Sequence, residues 1–168
     1  MDEKRKAEHK LKVEPVGDTE ILMRRQFRAP REMVFRCFTD PKLLTQWLGC
    51  SMGKTLLCEV DTSIGGVWRH TMDMGEHGKF ETFGQTLEYE APKRLVRSYV
   101  YNVPTIRESV SSETATFSEA NGITTVEILI RHLGKESRDG HMGSGLEFGA
   151  GSSYDSLEQF LISNKGGA

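Results

Sequence analysis

The sequence predicts an α+β domain in which a curved antiparallel sheet of six to seven strands wraps a long C-terminal helix, with two short helices after the first strand. Three observations predict it. Between Lys54 and His132 apolar and polar residues alternate through six successive short segments. Before them, apolar residues recur every three or four positions. After them, a glycine-rich stretch leads into Tyr154, Leu157, Phe160 and Leu161 at helical spacing.

The elements follow in order. Residues 1–18 carry five basic and five acidic side chains with little apolar periodicity, and read as a mobile tail ahead of a single domain over 19–165. EILMRRQFRAP supplies a short strand ending near Ala29, because the residue before Pro30 is pushed out of helical geometry. In PREMVFRCFTD the proline suits a first helical turn, and Met33, Val34, Cys37 and Phe38 form one apolar stripe. Asp40-Pro41 ends that helix. PKLLTQWLG adds one or two turns that point Leu43, Leu44, Trp47 and Leu48 inward before Gly49 stops them.

The six alternating segments are TLLCEVD, VWRHTMDM, GQTLEYE, RLVRSYVY, SETATF and TVEILIRH. Gly65-Gly66, GEHGK, APK, NVPTIRE and EANG join them, and connections this short make an antiparallel meander. The final helix should begin between Arg138 and Ser144. Its first half holds Gly145, Gly149 and Gly151, each costing a helix interior about 1 kcal/mol relative to alanine. Close approach of helix to sheet, or room left for a ligand, would account for them.

A chain of 168 residues is the length of one domain with one core. Charged residues make up 27% and the net charge is -2, with both signs interspersed, so no face is prepared for nucleic acid. No apolar run is long enough to span a membrane, and MDEKRKAEHKLKVEP lacks the apolar centre of a secretory signal, which points to the cytoplasm. Cys37, Cys50 and Cys58 are odd in number and form no C-x-x-C pair, which fits reduced thiols. Cys37, flanked by Phe35 and Phe38, reads as core.

Motifs that would carry chemistry are few. The glycines of SIGGVWRH precede a strand and no lysine-serine or lysine-threonine pair, which excludes a phosphate loop. His9, His70, His77, His132 and His141 form no metal-ligand spacing, so neither a metal nor another cofactor is expected. No G-x-S-x-G is present. Glu113 shares parity with Ala115 and Phe117, which should face inward. Its carboxylate is either an interior acid or base with a raised pKa, or a residue near the strand end held by a basic or hydroxyl partner.

In VWRHTM, Trp68, His70 and Met72 share one face and Arg69 the other. That face should meet the final helix beside Leu87, Tyr89, Tyr99, Tyr101 and His132. With Trp47, Glu113, Phe117, Met142, Leu146 and Tyr154 these residues form the expected wall of a mostly apolar cavity, the alternative being an ordinary filled core. His70, Glu113 and His132 are the candidate acids or bases.

The order RRQFRAPREMVFRCFTDPKLLTQWLG, CEVDTSIGGVWRHTM, GQTLEYEAPKRLV, ETATF and GLEFGAGSSYDSLEQFL resembles the homologues of the activator of the heat-shock protein 90 ATPase. These lie within the START-like, polyketide-cyclase and Bet v-type superfamily. The resemblance covers about residues 20 to 162 and implies a helix-grip fold. Members often carry a second tryptophan and a proline where this chain has Leu48 and Cys50, and methionines where it has Leu146 and Ala150, a change that enlarges the cavity.

The function expected is binding of a small, largely hydrophobic molecule between the sheet and the C-terminal helix, with oligomeric state left open. The resemblance implies one alternative, a co-chaperone or protein-interaction module, although the N-terminal domain by which the better-known activators engage the chaperone has no counterpart in this sequence. Relatives on the same scaffold imply another, a cyclase- or hydrolase-type enzyme. Because fold does not carry function, a binding protein is favoured over an enzyme.

Overall fold

The computed structural model describes residues 9–103 and 106–164, those at 103 and 106–110 by their backbone alone. One eight-stranded antiparallel sheet runs through it. Its strands are β1 (Lys12–Val16), β2 (Glu20–Phe27), β3 (Lys54–Val60), β4 (Val67–Asp73), β5 (Lys79–Glu90), β6 (Arg94–Val103), β7 (Ile106–Ala120) and β8 (Ile123–His132). Their spatial order is β1-β2-β8-β7-β6-β5-β4-β3, so the meander β3 to β8 closes onto β2, which pairs with β8 from Glu20↔Arg131 to Phe27↔Thr124.

Two short helices, α1 (Arg31–Thr39) and α2 (Pro41–Leu44), follow β2, and α3 (Lys135–Met142) and α4 (Leu146–Ser163) follow β8. Asp40 separates the first pair. It is extended, and its carboxylate accepts the Lys42 N–H at 2.9 Å, which starts α2 with proline in the first turn. Along β2 and β8, alternate residues Ile21, Met23 and Phe27, and Val126, Ile128 and Ile130, are buried. They meet Val34, Phe35, Cys37 and Phe38 of α1, and Tyr154, Leu157 and Leu161 of α4, in one core. Arg25, on the same side of β2, is tied to Asp155 of α4 at 2.6 Å.

Three expectations are corrected. Residues 12–16 are not a mobile tail: KVEPV pairs with β2 as an edge strand and packs Val13 against the core. Residues 1–8 of that tail lie outside the described residues. The expected loop NVPTIRE is largely strand, since β6 runs to Val103 and β7 starts at Ile106; Pro104 and Thr105 lie outside the described residues. The C-terminal helix is two helices. α3 ends at Gly143, and Gly145 at φ +87° turns the chain into α4, a conformation glycine adopts without steric cost.

The EANG turn is a tight hairpin with positive φ at both Asn121 and Gly122. Gly65, at φ +81°, serves the β3–β4 connection, and its N–H donates to the Thr86 carbonyl of β5 at 2.7 Å. Gly66 lies so close to the Asp61 carboxyl group that a Cβ there would fall 2.5 Å from Asp61 Cγ.

Candidate functional site

A cavity of about 460 Å³ lies between the concave face of β4–β7 and the first half of α4. Strand alternation in β4 places Trp68, His70 and Met72 on its wall, all buried. Gly49, after α2, packs against Met72. It sits at φ +70°, a Cβ there would overlap the Met72 thioether, and its N–H donates to Ser153 Oγ of α4 at 3.0 Å. Trp47 stacks on Tyr154 with centroids 5.7 Å apart, and its Nε1 donates to the Cys37 carbonyl. Leu146, Gly149 and Ala150 complete the helix side.

The far wall is a row of rings. Trp68 and Tyr99 have centroids 4.6 Å apart, Tyr99 and Tyr101 4.5 Å, and Tyr101 and His141 4.5 Å. Burial raises the Tyr99 hydroxyl pKa to about 12 and that of Tyr101 well above its ordinary value, so both hydroxyls stay protonated. Below Trp68 lies Arg97 of β6, its Cζ 4.7 Å from the indole centroid and its Nη2 3.7 Å from Glu113 Oε1 of β7. Arg97 and Glu113 are cross-strand partners. Burial raises the Glu113 pKa, and the Arg97 charge opposes that rise without cancelling it.

Three histidines line the cavity, His70, His77 and His141, and the first and last are buried. His70 Nε2 is 3.2 Å from Thr55 Oγ1, and burial lowers its pKa to about 4. His141 of α3 is lowered to about 4 by burial and by the adjacent His132. His132 stands behind it, away from the cavity, with its Nε2 2.8 Å from His141 Nδ1 and its Nδ1 3.1 Å from the Thr19 carbonyl. Among the described residues, no group of three or more His, Cys, Asp or Glu side chains could hold a metal ion.

Of the residues expected on the wall, Trp47, Trp68, His70, Met72, Tyr99, Tyr101, Glu113, Leu146 and Tyr154 line the cavity. Leu87 does not. The β5–β6 register shifts between Thr86 and Glu88, so Leu87 is the extra residue of a β-bulge and is exposed. Thr82 and Thr86 face inward before the bulge, and Thr82 takes the place in the cavity expected for Leu87. Tyr89, beyond the bulge, packs at 5.5 Å on Phe35 of α1 and lies outside the cavity.

Phe117 also lies outside it, with its ring 5.0 Å from Phe35 and 5.3 Å from Phe38. Met142 packs against the core, and His132 reaches the cavity only through His141. Glu113 is not near a strand end but in the middle of β7, with Arg97 as its basic partner.

Arg97 and His141 are cavity residues that sequence reasoning did not single out. For Arg97 the signal was present: in RLVRSYVY it shares parity with Tyr99 and Tyr101. For His141 there was none, because its position depends on the break between α3 and α4. Gly149 borders the cavity, where a Cβ would meet Met52 Sδ at an ordinary 3.7 Å, whereas a Cβ on Gly151 would meet no atom within 4 Å.

Solved structures share this architecture. A protein from Rhodobacter sphaeroides is 23% identical over 91% of this chain and 99% of its own, with a TM-score of 0.83. One from Nitrosomonas europaea is 25% identical over 90% and 99%, with a TM-score of 0.78. One from Arthrobacter aurescens is 17% identical over 90% and 91%, with a TM-score of 0.80. Among curated proteins none matches. The profile of the family described as "Activator of Hsp90 ATPase homolog 1-like protein" matches residues 28–161, from the end of β2 through α1, the meander and almost all of α4. The chain therefore belongs to the family of activator of Hsp90 ATPase homolog 1-like proteins.

Proposed function

We propose that this protein binds a small, largely hydrophobic molecule in the cavity between the sheet and α4. The observation that carries this reading is the space itself, about 460 Å³ walled by Trp47, Trp68, Met72, Tyr99, Tyr101 and Leu146, with few polar groups among them. A pocket of this size and lining suits one compact ligand, held by apolar burial and oriented by a few polar tips. No nucleic acid is expected as a partner. Among the described residues no helix is long and apolar enough to cross a membrane, and the three free thiols fit a reducing, cytoplasmic setting.

Titration with hydrophobic fluorophores and small aromatic compounds, read by tryptophan fluorescence and melting temperature, tests the reading. Saturable binding with a rise in melting temperature supports it. No response from any probe removes it. Native mass spectrometry of protein purified from its own cells would then identify a retained molecule.

A second reading rests on the family match alone: a protein-interaction role toward the heat-shock protein 90 machinery. A pull-down with the chaperone and an ATPase assay separates the two. Stimulation of ATP hydrolysis supports the interaction role, and an unchanged rate without binding removes it.

A further inference from the structure

The Thr19 carbonyl oxygen receives two groups of His132: the backbone N–H at 2.9 Å and the ring Nδ1 at 3.1 Å. A carbonyl oxygen only accepts, so Nδ1 of His132 carries a hydrogen. Burial, reinforced by the nearby Arg138 charge, disfavours a second proton on this ring, which leaves Nε2 bare. The atom facing that bare nitrogen, 2.8 Å away, is Nδ1 of His141, and it must supply the hydrogen between them. Burial and the neighbouring His132 keep His141 neutral as well. Its single hydrogen is committed to His132, and its own Nε2 is left with a lone pair.

His141 lines the cavity and His132 does not, and with Nδ1 of His141 turned to His132 its Nε2 lies on the side of the ring away from His132. Among the described residues, Nε2 of His141 makes no hydrogen bond, although the residue is almost wholly buried. The polar residues that share the cavity beside His141 include Tyr101, its ring centroid 4.5 Å away, then Tyr99 and the Arg97–Glu113 pair along the row of rings, and Ser144, whose hydroxyl hydrogen goes to the His141 carbonyl at 2.7 Å. Arg97 is already matched by Glu113 and by the Trp68 face, so it offers little to an anionic ligand. A carboxylate would in addition meet the lone pair of His141. A hydroxyl hydrogen would satisfy it.

We propose that the Thr19 carbonyl, His132 and His141 form a relay that fixes His141 Nε2 as a hydrogen-bond acceptor in the cavity, and that this acceptor selects apolar ligands bearing a neutral hydroxyl, a phenol or a similar O–H donor. The inference rests on the cavity-binding reading and adds the ligand class. His132 is a positioning residue in this scheme, since it acts only through the ring of His141. The ligand hydroxyl is oriented and held, and no bond is made or broken.

Two measurements test it. Long-range ¹⁵N–¹H NMR of the histidine rings at pH 7 reads the tautomers directly. The expected result is an Nδ1–H form for both His132 and His141, and an Nε2–H form of His141 overturns the relay. Affinities are then compared for 2-naphthol, 2-methoxynaphthalene and 2-naphthoate. Wild-type protein should bind 2-naphthol about tenfold more tightly than the methyl ether, a ratio set by one hydrogen bond, and should bind the carboxylate more weakly than either.

His141→Phe should bring the naphthol-to-ether ratio to one while keeping ether binding. His132→Phe should lower the ratio and mix the His141 tautomers. Equal affinity of wild-type protein for naphthol and ether overturns the inference and leaves the cavity reading standing. No binding of any of the three removes both.

Discussion

The Arg97 guanidinium lies 4.7 Å from the centroid of the Trp68 ring, although the two residues belong to strands separated by β5. The contact exists because Gly84, the register partner of Trp68 in the intervening strand, has no side chain. The indole crosses over that glycine, and its Nε1 donates to the Ser98 carbonyl of β6 at 3.1 Å. A Cβ on Gly84 would fall on the Ser98 carbonyl and 2.8 Å from Trp68 Nε1.

Gly84→Ala should therefore destabilise the protein by about 2–3 kcal/mol, through overpacking against backbone that cannot yield. It should also shift the Trp68 emission as the indole leaves Arg97. Urea unfolding followed by fluorescence checks both, and a neutral substitution would contradict the close-packing account.

Gly151 should behave oppositely. It is inside α4, and nothing lies within 4 Å of where its Cβ would be. Gly151→Ala should stabilise by up to about 1 kcal/mol, by restricting the unfolded chain and improving helix propensity. A lower melting temperature for this variant would show that the position is constrained after all.

The Arg97–Glu113 pair should show strong coupling. Arg97→Met leaves the Glu113 carboxylate buried without its cation and should cost about 3 kcal/mol at pH 7, because a buried charge without a partner loses far more than the pair gains. Adding Glu113→Gln should restore part of that loss, since burial already disfavours the Glu113 charge. A double-mutant cycle measures the coupling, and additive effects would show that the two side chains do not sense one another.

Stability should fall in mild acid. His70 and His141 titrate near 4 in the folded protein against an ordinary value of 6.5, so between those values the unfolded chain binds more protons. Their contribution is complete above 6.5 and is lost as pH falls toward 4, on the order of 2 kcal/mol per ring by pH 5. His132 shifts in the same direction. Glu113, whose pKa is raised, works the other way: its contribution is present at low pH and is lost as pH rises through its folded value. Denaturant midpoints at pH 7 and pH 5 check the balance, and a flat profile would mean that neither His70 nor His141 is held neutral.

Residues on the two sides of the β5 bulge should respond differently. Met72→Ala removes buried volume from the cavity wall and should cost about 2–5 kcal/mol and alter probe binding. Leu87→Ala should stay within about 0.5 kcal/mol of wild type and leave binding unchanged, because its side chain is exposed. Thermal melts and a shared fluorophore titration compare the two.

Most of the architecture was legible in the sequence because it rests on period. VWRHTM named its inward face correctly, and RLVRSYVY held Tyr99 and Tyr101 on the cavity side. What escaped was what period does not encode. KVEPV is short, mostly exposed and holds a proline, so its brief alternation was too weak a signal, and it becomes a strand by pairing with β2. The bulge at Leu87 exchanges the faces of β5 in mid-strand, so strict alternation placed Leu87 on the wrong side. His141 enters the cavity because Gly143 and Gly145 break the C-terminal helix into two, and glycines in a helical pattern do not say where such a break will fall.

That bulge makes Leu87 a spare residue. Ahead of it, deleting one amino acid from β5 with the bulge kept in place would shift the register of the strand before the deletion by one residue and put those side chains on the opposite face. Deleting Leu87 itself would pair Thr86 and Glu88 as consecutive residues against Arg97 and Val96 and keep all faces as they are. Length, which is otherwise rigidly set along this strand, has one point of tolerance, and a chain of 167 residues shortened there should still fold around the same cavity.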